Sequence, residues 1–389
     1  MVVNFEFLSM EPMNNVITCL HYKVDKVVFF GYEQMVREMR EITGDFLISH
    51  CGVSETEFIV LPEGDFSKIR DGIRAAMNQE NVQGNELYFD ITGGDSLILV
   101  AFGQISREYG TSMHLFDVVK DQLIEFNEQS PHLMSRDVEK KEKKLNLDLM
   151  IEMRGGKINY RLQKRIKQEN DPEFRKDSDA MFDVAKAEWE VWNPFSEFLR
   201  TKLTTDHNLN VFCKTDRLKK ELASFSSKLN RISQFDEIVD ALAERGILLD
   251  VLRNEAIYRF RFKSRAIKDC IWESGSILEM NVYGREKLIS DDCRVGVHLD
   301  WGYGMHEGSW EDVLNEIDVL TLKGNIMTFI SCKTGRMDSH QTLHALYELD
   351  TVSKRFGGDY SRKVLVSAQP LNSSNLARAA EMGIEIRSE

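Results

Sequence analysis

Three residues in the last third of the chain have the types and spacing that phosphodiester chemistry needs. Glu279 closes Gly275-Ser276-Ile277-Leu278-Glu279, which reads as the opening of a helix. Asp318 lies in Asn315-Glu316-Ile317-Asp318-Val319-Leu320, and Lys333 ends Phe329-Ile330-Ser331-Cys332-Lys333, both of which read as strands. Asp318 and Lys333 are 15 residues apart, room for two short strands and a turn at Lys323-Gly324-Asn325, so a hairpin brings a carboxylate and an amine together. Carboxylate oxygens hold Mg²⁺ or Mn²⁺, which neutralises charge on a phosphate and acidifies a bound water. A neighbouring lysine orients that water and stabilises developing negative charge. An acid–lysine pair on adjacent strands is ordinarily a plain salt bridge. Here the apolar run before Lys333 favours burial, and a buried charge needs a partner or a purpose. Glu316, Glu311 and His298 are further candidates for ligands or bases, a surface role being the simpler alternative.

A second constellation lies near the N-terminus. Asp90-Ile91-Thr92-Gly93-Gly94-Asp95-Ser96 joins an apolar strand to an apolar helix. Two glycines permit a sharp turn and expose N–H groups beside a helix N-terminus, an anion cradle where open α/β sheets bind ligands. The simpler alternative is a capped loop with Asp95 or Ser96 as N-cap. Neither a dinucleotide fingerprint nor a P-loop is present.

The elements that must position these residues alternate. Strands at 3–7, 27–30, 57–61 and 86–91 and helices at 12–20, 33–43, 66–78 and 95–107 predict an open, mainly parallel sheet covered on both faces. A hairpin over 113–126 closes this unit. Residues 130–178 are charged, with basic runs at 136–144 and 161–167 that read as solvated linker or helix face. Met181, Phe182, Ala185, Trp189, Trp192 and Phe195 recur at helical spacing and predict a core stripe. Helix 236–245 and the alternating Tyr258-Arg259-Phe260-Arg261-Phe262-Lys263 suggest a winged-helix unit with a basic strand. Residues 266–389 return to α/β. The expected division is 1–130, 131–265 and 266–389.

Composition narrows the function classes. A net charge of −13 argues against non-specific coating of nucleic acid and confines any such contact to local patches. Six cysteines without a CxxC pair exclude a zinc knuckle and suit reduced thiols. No apolar run spans a bilayer and no signal peptide opens the chain, so a cytoplasmic location is expected.

The three motifs around Glu279, Asp318 and Lys333 resemble those of PD-(D/E)XK nuclease domains, in particular the subgroup fused to an N-terminal CARF domain. These are the cyclic-oligoadenylate-activated nucleases of type III CRISPR systems. Tyr347-Glu348-Leu349, Arg355-Phe356-Gly357-Gly358 and Ala379-Ala380-Glu381-Met382-Gly383-Ile384 resemble their later elements. The resemblance implies an α/β chain with a Rossmann-like CARF domain, a helical, winged-helix-like middle and a restriction-endonuclease-like C-terminal domain. It implies Glu279 and Asp318 as metal ligands, joined by the Cys332 carbonyl, and Lys333 as the catalytic lysine. It departs at Ser331, where the family carries an acid. In the sensor it implies that Ser9, Met10, Glu11, Thr92, Gly93, Gly94, Asp95 and Ser96 line a site for cyclic tetra-adenylate or a related ring, shared across a two-fold homodimer. Arg259, Arg261, Lys263 and Arg265 would then track a DNA or RNA backbone. The alternative expectation is a ligand-controlled regulator that binds nucleic acid without cutting it.

Overall fold

The computed structural model describes residues 1–127, 130–135, 145–162, 171–203, 208–301 and 315–389. The N-terminal unit runs β1 (Val2–Phe7), α1 (Pro12–His21), β2 (Lys26–Gly31), α2 (Glu33–Phe46), β3 (Glu55–Val60), α3 (Phe66–Val82), β4 (Glu86–Asp90), α4 (Ser96–Tyr109), β5 (Ser112–Asp117), β6 (Gln122–Asn127) and β7 (Ser130–Ser135). Its sheet has the order β3-β2-β1-β4-β5-β6-β7. The first five strands are parallel and β6 and β7 antiparallel. Val27, Val28, Phe29 and Phe30 are buried because helices cover both faces of the sheet. Strand order reverses between β1 and β4, so the loops after these two strands meet at the topological switch point.

The middle of the chain comprises α5 (Leu147–Glu152), β8 (Gly156–Ile158), α6 (Pro172–Ala187), α7 (Trp189–Phe198), β9 (Asn210–Lys214), α8 (Thr215–Ala223), α9 (Ile232–Glu244), β10 (Leu248–Arg253), β11 (Ile257–Phe262) and α10 (Arg265–Trp272). The order β10-β11-β9, with α8 and α9 between β9 and β10, gives a winged-helix-like arrangement. The expected stripe on α6 and α7 is buried, with Trp192 and Phe195 fully enclosed. Four strands went unread in the sequence: β7, β8, β9 and β10. β7 joins the N-terminal sheet beside a charged run, and β8, three residues long, pairs with the C-terminal sheet.

The C-terminal unit runs α11 (Ser276–Glu286), β12 (Asp292–Trp301), β13 (Asn315–Lys323), β14 (Ile326–Lys333), α12 (Ser339–Gly357), β15 (Arg362–Ser367), α13 (Ser373–Glu381) and β16 (Ile384–Ser388). Its sheet has the order β16-β15-β14-β13-β12-β8. β13 and β14 form the expected hairpin, with Lys323 paired to Ile326 and Gly324 at φ +58°, a left-handed turn that glycine adopts at little cost. One apolar cluster joins the outer units. Phe116, Val118 and Leu123 from β5–β6 pack with Leu147 and Ile151 of α5 and with Leu320, Leu322 and Met327 of the hairpin.

Candidate active site

Asp318 and Lys333 come together at the open end of the β13–β14 hairpin. Asp318 Oδ2 accepts the Cys332 N–H at 2.6 Å and the Ser331 hydroxyl at 3.2 Å. The serine that stands in the place of an acid therefore orients Asp318. Glu279 lies in the first turn of α11, half-buried, and Gly275 leaves room for its carboxylate, since a Cβ there would sit 3.2 Å from Glu279 Oε1. The Cys332 thiol lies among these groups. Burial pushes it well above the usual thiol range, the carboxylates of Asp318 and Glu279 push it further, and Lys333 and Arg285 oppose them. Arg285, six residues after Glu279 on α11, is itself paired with Glu389.

The donors fit a hard divalent cation. Two carboxylates and the Cys332 backbone carbonyl are all oxygen ligands, the set that Mg²⁺ and Mn²⁺ prefer. Among the described residues no group of three or more His, Cys, Asp or Glu side chains is placed to hold a metal. His298 is buried, with Nε2 3.8 Å from Glu316 Oε1 and Nδ1 without a hydrogen-bond partner. Glu311 lies outside the described residues, as does most of both basic runs.

The sensor residues gather at the switch point. Asp90 Oδ1 accepts the Thr92 N–H at 2.8 Å, and Thr92 Oγ1 accepts the Phe116 N–H at 2.8 Å, which fixes the loop on β5. Asp90 is buried; burial would raise its pKa, but the adjoining His114 and bonds from Thr18 and Thr92 hold it below the usual carboxylate range. Asp95 caps α4 by accepting the Leu97 N–H at 2.9 Å. Both glycines are needed for close approach. A Cβ at Gly93 would lie 2.9 Å from Asn14, and one at Gly94 would collide with Leu99. Ser9 Oγ accepts the Glu11 N–H at 3.0 Å and faces Asn14 Nδ2 at 3.4 Å, while Met10 is exposed. Tyr32, at the end of β2, was missed although it too follows a strand beside the switch point. Burial and a hydrogen bond to Asp95 raise its hydroxyl to about 12.

Glu11 corrects the sequence reading. It was expected to line the ligand pocket, but it is buried and paired with buried Arg154. Its Oε2 also accepts Arg154 Nη1 at 3.2 Å and the Asp359 N–H at 2.9 Å. A buried carboxylate needs such a cation, and Arg154 is too distant in sequence to have been foreseen. Gly358, at φ +63°, completes the joint, because a Cβ there would collide with both side chains. Beside it the Tyr360 hydroxyl donates to Asn14 Oδ1 at 2.9 Å.

The four cations expected on nucleic acid differ in their surroundings. Arg261 pairs with Asp250 at 2.9 Å, and Lys263 with Asp177 at 2.8 Å and Glu173 at 3.0 Å. Arg265 pairs with Asp269 at 2.8 Å. Arg259 is exposed and, among the described residues, without an ion pair.

Comparison with known proteins bears on the fold and on the C-terminal unit. Residues 270–389 match the Card1-like endonuclease domain. No curated protein sequence matches the chain. Among solved structures, protein VC1899 from Vibrio cholerae superposes with a TM-score of 0.73 at 18% identity, over 100% of this chain and 94% of that one. Can2 from Sulfobacillus thermosulfidooxidans, solved in complex with cyclic tetra-adenylate, gives 0.68 at 14% identity, over 99% and 95%. A type III CRISPR defence DNA nuclease activated by cyclic oligoadenylate gives 0.51 at 13%, over 96% of this chain and 47% of that one. The chain shares its fold with these solved structures along nearly its whole length. Within it, residues 270–389 are the part that matches the Card1-like endonuclease model.

Proposed function

We propose that this chain is a metal-dependent nuclease of type III CRISPR defence, switched on by a cyclic oligoadenylate, with cyclic tetra-adenylate as the ring. The observation that carries the reading is the β13–β14 hairpin, which holds Asp318 and Lys333 at one end and touches the N-terminal unit at the other. There Asn325 Nδ2 donates to the Val118 carbonyl at 3.3 Å and to Asp121 Oδ1 at 3.0 Å.

Glu279 and Asp318, with the Cys332 carbonyl, would hold Mn²⁺ or Mg²⁺. When bound, the cation would supply charge neutralisation at the scissile phosphate and an acidified water. Lys333 places a positive charge where negative charge develops on the phosphate. Ser331 and the Cys332 N–H fix the Asp318 carboxylate, so its orientation is set before substrate arrives. In the sensor, the loops around Ser9, Met10 and Thr92 to Ser96 would receive the ring. Next to them Leu97 and Val100 of α4 are exposed and a Cβ at Gly103 meets open space, which supports a second copy packing there as a two-fold dimer. No described helix is long and apolar enough to cross a bilayer.

The test is cleavage of labelled single-stranded DNA, single-stranded RNA and supercoiled plasmid in Mn²⁺, with and without cyclic tetra-adenylate. Ligand-dependent products are expected, and Lys333→Ala lowers the rate by a factor of about 10² or more. Ser331 in the acid's place favours a second reading, a regulator that binds without cutting. Retarded nucleic acid without products in every arm would establish that reading instead.

A further inference from the structure

The three-stranded sheet of the middle region buries one face and leaves the other open. Val211, Cys213, Tyr258, Phe260 and Phe262 point into the core. On the outer face the ladder sets Phe212 opposite Arg259, and Arg259 opposite Leu252, so the three form one row across all three strands. Phe212 is 66% exposed and Leu252 39%. Lys214 lies two residues beyond Phe212 on the same strand and face, opposite Ile257. Like Arg259, it is exposed and without an ion pair among the described residues. An exposed ring flanked by uncommitted cations has the composition of a base-stacking surface rather than of ordinary solvated sheet.

Charge decides which partner fits. Residues 208–265 carry 12 Lys and Arg against 8 Asp and Glu, opposite in sign to the whole chain at −13. The second helix of the winged-helix arrangement, α9, carries Asp236, Glu237, Asp240 and Glu244 and no Lys or Arg. Such a helix is repelled from the groove of a duplex. Arg253, in the wing, pairs with Asp236 at 3.1 Å and also with Asp240. The usual groove-reading element is therefore closed to a polyanion, and the sheet face is open to one.

We propose that this face is a platform for single-stranded nucleic acid, with one base stacked on Phe212 and the flanking phosphates on Arg259 and Lys214. The proposal rests on the nuclease reading, for which it supplies a second hold on the substrate. β11 leads through Ser264 into α10 and on to α11, which carries Glu279. A stacked ring accepts any base that is free to leave its neighbours, so the platform selects strands that are unpaired and is tolerant of sequence.

The test uses the full chain carrying Lys333→Ala, which keeps the strand intact, and labelled 12-nucleotide DNA, RNA and duplex followed by anisotropy. Adding Phe212→Ala weakens both single strands about tenfold and the duplex by less than about twofold. Phe212→Trp restores binding, and Arg259→Ala reduces the salt slope by about one. Phe212 is exposed, so melting temperatures stay unchanged and loss of binding is not loss of fold. Single-strand affinity indifferent to Phe212→Ala overturns the platform, as does an equal loss for duplex. A shift toward smaller species on sedimentation of Phe212→Ala overturns it too, assigning the row to a second copy of this chain. Strand binding through Phe212 in a parent chain that never cuts sustains the platform while the nuclease reading falls.

Discussion

At the scale of single residues, the active site turns on Ser331. A hydroxyl contributes no charge to a cation, and here it is bonded to Asp318, so the site carries two carboxylates where its family resemblance implies three. Affinity for a hard cation rises with the number of charged oxygen ligands. Ser331→Asp restores the missing charge beside Asp318. Without metal, the two like charges repel and the variant melts below the parent. With Mn²⁺ the order reverses, and calorimetric titration gives affinity about tenfold tighter than in the parent. Equal Mn²⁺ affinity in the two proteins would mean that position 331 does not face the cation. The type and spacing of Asp318 and Lys333 were legible in the sequence because a hairpin joins residues close along the chain. The meeting of Glu279 with them across the α11–sheet interface rested on the family resemblance.

At the scale of elements, the β13–β14 hairpin is a lever with different partners at its two ends. Asp318 to Lys323 spans roughly 17 Å at the rise of an extended strand, and the turn beyond it is gripped through Asn325, which is 4% exposed. Asn325→Ala leaves the Val118 carbonyl short of a donor, which costs about 1–3 kcal/mol and lowers the melting temperature by several degrees. If the hairpin transmits the state of the sensor, the same variant binds cyclic tetra-adenylate as the parent does but gains less cleavage from it. Full stimulation would remove the hairpin from the path. The hairpin, its turn and the parallel β1–β5 sheet were readable from apolar runs and glycines, since these encode local geometry. The grip on Val118 and Asp121 was not, because it joins residues about 200 positions apart by single hydrogen bonds. The same holds for β8, whose three residues take their conformation from β12.

At the scale of the whole molecule, the question is how a loop at the switch point reaches a catalytic sheet in another unit. Gly93 rests on Asn14, Asn14 accepts the Tyr360 hydroxyl, and Tyr360 stands between the end of α12 and β15, the strand paired with Lys333. Beside this contact the buried Glu11–Arg154 pair clamps the Gly358–Asp359 turn, and breaking a buried pair costs about 3–5 kcal/mol. The clamp therefore holds the units together, while the exchangeable Asn14–Tyr360 bond, worth about 1 kcal/mol, is suited to respond to a ligand. Tyr360→Phe removes that hydroxyl and keeps the ring. Ligand affinity measured calorimetrically without nucleic acid should stay within about threefold of the parent, and ligand-stimulated cleavage should fall about fivefold, as 1 kcal/mol of coupling requires. Coupling between binding sites is reciprocal, so nucleic acid should tighten ligand binding to the parent, and Tyr360→Phe should shrink that gain. A variant stimulated as fully as the parent, with the reciprocal gain intact, would place the coupling in the Asn325 grip and leave the Asn14–Tyr360 bond a structural contact.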